Sequence, residues 1–186
     1  MATLISLWLP ILLSAVVVFV VSSLIHMVLK WHASDYRGFG NEEAVREAVR
    51  AKQPTPGLYA VPYCDDIAKM GSAEMLRKYE EGPVCQVLVG PKGAPNMGKT
   101  LGLWFLWALV IALVAAFLTV RFVGAAPGQA QVVAQSVASI TFVAHGFGTV
   151  CESIWMLRPW STSVKNLLDA ALYAAGSGLV FYWLAP

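Results

Sequence analysis

The sequence predicts an all-α integral membrane protein, a four-transmembrane-helix bundle with a small α+β extramembrane insertion between the first and second helices. Three observations carry that prediction. Four apolar runs, Leu7 to Leu29, Leu101 to Val123, Ala130 to Leu157 and Val164 to Leu184, each reach the roughly 20 residues that cross ~30 Å of hydrocarbon. The chain is 58% hydrophobic and 13% charged with a mean hydropathy of +0.63, far from the mix of a soluble domain. Its charges are segregated as well: ten of the thirteen basic residues and nine of the eleven acidic ones lie between Lys30 and Lys99.

Residues 1–30 hold the first span. The run lacks a basic N-terminal region and a small-x-small cleavage site before Lys30, so it is expected to stay in the mature protein. Pro10 falls in its first turn, where a missing donor costs little. Lys30, Arg37, Lys92, Lys99, Arg158 and Lys165 flank the spans, and the positive-inside rule then places the large loop in the cytoplasm and both termini outside a bacterial inner membrane. Trp8 and Trp183 mark the outer interface, while Trp31, Trp104, Trp107, Trp155 and Trp160 mark the inner one.

Residues 31–99 are expected to form a cytoplasmic module with short helices and a two-stranded unit. Asn41 can cap a helix over Glu42 to Lys52, with acids in its first turn and bases in its last. Leu58 to Tyr63 and Val84 to Val89 read as short strands, separated by a helix from Ser72 to Glu81 that stops at Gly82-Pro83. Two strands alone are marginal in water, so the module is expected to pack against the inner membrane face. Cys64, Cys85 and Cys151 would be reduced thiols in this compartment, whereas an inverted topology would let Cys64 and Cys85 pair.

Residues 100–186 hold the remaining spans. The second is apolar through its centre and is expected to close the bundle against lipid. The fourth carries Ala170, Ala174 and Gly178 at intervals of four, a small-xxx-small pattern that admits close helix approach. The third differs: Gln131, Gln135, Ala138, Phe142, His145, Thr149 and Glu152 share one helical face. Ionisable groups are expensive in lipid and face a bundle interior. At ~1.5 Å of rise per residue, His26, Glu152 and Asp169 lie at similar depth, with His145 nearer the middle and Gln131 and Gln135 continuing outward. These six are the expected ligand or ion path. His26, His145, Glu152 and Asp169 are also the secondary candidates for a metal, although no Glu-x-x-His pair is present. Gly146 and Gly148 are expected to serve close helix packing.

Gly93 to Thr100 matches the phosphate-loop pattern G-x-x-x-x-G-K-[ST], which would make Gly93, Gly98, Lys99 and Thr100 a phosphate-binding set. The next segment, however, is a lipid-length apolar helix, and no repeated strand-helix units precede it. A membrane-entry turn with Lys99 reaching for headgroups is the expected role.

No catalytic set stands out. Asp65-Asp66 reads as a helix cap, and Cys64 has no histidine near it in sequence. A net charge of +2 argues against a nucleic-acid partner. The expectation is a non-catalytic accessory, assembly or interaction subunit of an inner-membrane complex. It needs no cofactor, and its partners would be the lipid bilayer and other membrane subunits or a second copy. The alternative is a small proton, ion or polar-ligand transporter, and a membrane-surface enzyme or nucleotide binder ranks third. Ser153 to Trp160 with Lys165 and Asp169, Ser22 to His26, and Pro95 to Lys99 together resemble segments of small bacterial four-helix inner-membrane proteins. That resemblance implies topology and no activity.

Overall fold

The computed structural model describes residues 4–185 and is 72% helical. In chain order its elements are α1 (Trp8–Ser23), α2 (Glu42–Ala51), β1 (Gly57–Val61), α3 (Ala73–Glu81), β2 (Cys85–Val89), α4 (Met97–Leu118), α5 (Ala130–Trp155) and α6 (Trp160–Leu184). Short 3-10 or π-helical turns extend α1 at both ends and α4 at its end, so the four membrane-length helices run Leu4–Leu29, Met97–Val123, Ala130–Trp155 and Trp160–Leu184. Each is long and apolar enough to span a bilayer.

The chain divides into two compact units, one of residues 1–36 and 96–186 and one of residues 37–95. The smaller unit begins six residues after and ends four residues before the expected 31–99 module. Lys30 adopts a left-handed conformation (φ 53°), which ends the first long helix and lets a 3-10 turn, Trp31–Asp35, pack with α6.

In the helical unit each long helix packs mainly on two neighbours, in the cyclic order α1, α4, α5, α6. Small residues set the spacing. A Cβ on Gly178 would lie 3.1 Å from Ala138 Cβ and 3.3 Å from the Ala134 carbonyl, so α5 and α6 touch almost backbone to backbone. Ala170 and Ala174 complete the expected stripe and are buried. One end of the bundle is sealed by an apolar cluster that includes Leu7, Ile11, Ala112, Ala115, Ala116, Val133, Val137 and Phe181.

The smaller unit follows the local signals closely. Asn41 accepts a hydrogen bond from the Ala44 amide, and Ser72 accepts one from Met75. Strands β1 and β2 pair antiparallel, with Leu58 opposite Leu88 and Val61 opposite Cys85. Met75 is its buried hydrophobic among the described residues, while Leu58 and Leu88 are 55% and 80% exposed. Cys64 and Cys85 are free thiols.

Candidate functional site

The end of the helical unit opposite the apolar seal holds a cavity of about 750 Å³. His26, His145, Glu152 and Asp169 all line it, joined by Ser22, Trp104, Arg158, Asn166 and Tyr173. Four of the six expected path residues therefore meet at one cavity. Gln131 and Gln135 do not: both are exposed and do not line it. The buried face of α5 turns along its length, from Val133, Ala134 and Val137 at its start to Thr149 and Ser153 at its end. A stripe drawn at fixed angle leaves the interior as the helix crosses its neighbours.

Within that shared cavity Glu152 pairs with Arg158 rather than with His26 or Asp169. Its carboxylate accepts from Arg158 Nε at 2.9 Å, and both side chains are more than two-fifths exposed. Asp169 instead receives His32. His32 Nε2 lies 2.8 Å from Asp169 Oδ2, and His32 Nδ1 lies 2.8 Å from Asp35 Oδ2. The His26 ring stacks on the His32 ring, with centroids 4.7 Å apart and planes 2° from parallel. His32 was legible in the sequence only as part of the interfacial end of the first span. The available signal was Asp35 three residues further on, the spacing at which a short helical turn brings side chains together.

Lys165 completes this cluster. Its ammonium donates to the Trp31 carbonyl at 2.9 Å, to Ser34 Oγ at 2.7 Å and to Asp35 Oδ1 at 2.6 Å. Burial works against the charge on Asp35, yet Lys165 and His32 together hold its carboxyl below the ordinary carboxylate range. With two carboxylates facing the two nitrogens of His32, the ring can donate on both sides only as an imidazolium. Asp169 Oδ1 is buried and has no hydrogen-bond partner among the described residues.

His145 sits further along the wall. Its Nδ1 donates to the Thr141 carbonyl at 3.0 Å, which leaves Nε2 as an acceptor, buried and unpartnered among the described residues. The rings of Trp104 and Tyr173 flank it edge-on at 5.9 and 5.3 Å. The two neighbouring glycines separate in role. A Cβ on Gly146 would lie 3.1 Å from both Ala170 Cβ and Leu167 Cδ2, whereas one on Gly148 would meet nothing within 4 Å, because Gly148 faces the cavity.

Nor does α4 merely close the bundle against lipid. Met97, Thr100, Leu101 and Trp104 form a cavity wall, and the Trp104 indole donates to Ser22 Oγ at 2.8 Å. The phosphate-loop pattern has another structural role at its end. Asn96 Oδ1 accepts from the Lys99 amide at 3.0 Å, Thr100 Oγ1 donates to the Asn96 carbonyl at 3.2 Å, and α4 begins at Met97. The Asn96 side chain thus uses an amide that a phosphate would need, and β1 and β2 are the described strands, antiparallel rather than part of a parallel sheet. Gly93, Gly98, Lys99 and Thr100 are exposed.

These features define a helical protein of membrane-spanning class with a cavity of mixed polar and apolar lining at one end of its bundle. Comparison of the chain with protein-family models, curated proteins and solved structures gives no match.

Proposed function

We propose that this protein is a non-catalytic membrane subunit whose helical unit holds a small amphiphilic ligand. The observation that carries this reading is the convergence of His26, His145, Glu152 and Asp169 on one cavity of about 750 Å³. Met27, Leu101 and Trp104 supply apolar walls beside those hydrogen-bonding groups, and a ligand with an apolar body and a polar end suits such a lining. An apolar cluster around Val133, Val137 and Phe181 fills the other end of the bundle. That favours retention of a ligand over a proton, ion or polar-ligand path through a single chain. The basic flanks continue to support an inner-membrane topology with residues 37–95 in the cytoplasm and both termini outside. The accessory role draws support from the exposed Leu58 and Leu88 pair, which suits contact with another membrane subunit or a second copy.

Native mass spectrometry of protein extracted in mild detergent tests the reading. The wild type is expected to retain a small molecule. Gly148→Trp, whose new side chain has room to enter the cavity, is expected to lose it while keeping its helical circular dichroism. A wild type that carries no small molecule, or a Gly148→Trp chain that keeps it, would overturn the proposal.

A further inference from the structure

We infer that His26, His32 and Asp169 form a binding site for a divalent first-row transition ion of the zinc or ferrous class. The inference goes beyond the cavity ligand and does not depend on it. One ligand atom from each of the three residues lies within 4.8 Å of the other two. The donor set is two imidazoles and one carboxylate, which suits borderline ions and leaves coordination positions open, here beside the cavity that His26 and Asp169 line.

The surrounding hydrogen bonds prepare these atoms. A backbone carbonyl can only accept, so the 2.9 Å contact between His26 Nδ1 and the Ser22 carbonyl puts the hydrogen on Nδ1 and leaves Nε2 as a lone pair. His32 is oriented in the same manner by Asp35, which Lys165 fixes in turn. Histidine ligands characteristically donate their other ring hydrogen to a carbonyl or carboxylate in this way. Asp169 is 4% exposed, and its Oδ1 is buried without a hydrogen-bond partner among the described residues. That unpartnered oxygen is an observation independent of the clustering, and it points to a missing electropositive group.

Ligation requires two local movements. Bonds of about 2.0–2.1 Å at near-tetrahedral angles bring ligand atoms to about 3.3 Å from one another, so the 4.8 Å spread must contract. The exposed His26 ring must leave its stacked position and turn Nε2 toward His32. His32 Nε2 gives up its hydrogen to solvent as its lone pair meets the ion. The competing role for the same residues is an ion-paired clasp between the Trp31–Asp35 turn and α6.

Full-length protein in detergent, stripped with a chelator and titrated with Co²⁺, separates the two. The expected result is one Co²⁺ per chain with visible ligand-field bands of nitrogen and oxygen coordination and no thiolate charge-transfer band. His26→Ala alters an exposed residue outside the clasp hydrogen bonds, and it should weaken binding at least roughly tenfold with unchanged circular dichroism. Changing Cys64, Cys85 and Cys151 to serine should leave binding intact. The inference is overturned if the wild type binds Co²⁺ no better than His26→Ala, or if the serine variant loses the ion. Native mass spectra of the same samples keep the two proposals apart. A small molecule retained without ion binding sinks only the metal site, and ion binding without a retained molecule sinks only the cavity ligand.

Discussion

His32 Nε2 lies 2.8 Å from Asp169 Oδ2 and so ties together two residues 137 positions apart. The pair joins the turn after the first long helix to the third turn of α6, and both side chains are largely shielded from water. Asp169→Ala takes the partner from His32 Nε2 while Asp35 still holds Nδ1, and loss of one buried hydrogen-bond partner is expected to destabilise the helical unit by roughly 1–3 kcal/mol. Thermal unfolding in detergent reads this directly, and a melting temperature equal to wild type would show that the pair adds nothing to stability.

Asp35 gives the fold a defined acid sensitivity. Its folded-state carboxyl is held below the ordinary range, so its contribution is fully present above the unfolded value of about 3.9 and is lost as pH falls through the folded value. Lys165→Met removes a major cause of that depression. The gap in melting temperature between wild type and this variant should be largest near neutral pH and should shrink below about pH 4. A gap that stays constant from pH 7 to pH 3 would contradict the assignment.

Gly146 and Gly148 are two residues apart yet should respond in opposite ways to a side chain. Gly146→Val pushes against Ala170 and Leu167 at 3.1 Å and should cost about 1–3 kcal/mol. Gly148→Val enters open space and should stay within about 0.5 kcal/mol of wild type. Equal melting temperatures for the two variants would argue against the α5–α6 contact described above.

The phosphate-loop pattern offers a third contrast. Asn96→Ala removes the cap of α4 and should cost about 0.5–2 kcal/mol, whereas Lys99→Ala, at an exposed position, should be close to neutral. Neither the wild type nor Lys99→Ala should bind a nucleoside triphosphate in equilibrium dialysis. Binding that disappears in Lys99→Ala would restore the nucleotide reading.

Much of this architecture is legible residue by residue. The elements between Glu42 and Val89 follow from Asn41, Ser72, Gly82-Pro83 and two short β-prone runs, because caps and breakers act on their immediate neighbours. His26, His145, Glu152 and Asp169 stood out because ionisable groups in apolar runs need an interior to face, and they do share a cavity. Gln131 and Gln135, neutral groups placed beside them by a stripe of fixed helical angle, are exposed because α5 rotates its buried face along its length. Glu152 lines that cavity and pairs with Arg158, only six residues away, after the chain turns at Leu157 (φ 57°).

By itself, the sequence determined the four membrane-length helices and the two-stranded insertion, since run length, periodicity, caps and breakers are local properties of the chain. The pairing of His32 with Asp169 was decided only by tertiary structure. It depends on the left-handed backbone at Lys30, which turns residues 31–35 onto α6, and a non-glycine residue in that conformation gives no sequence signal. Small-residue packing between α5 and α6 then fixes how the helices lie, and with it which polar side chains meet.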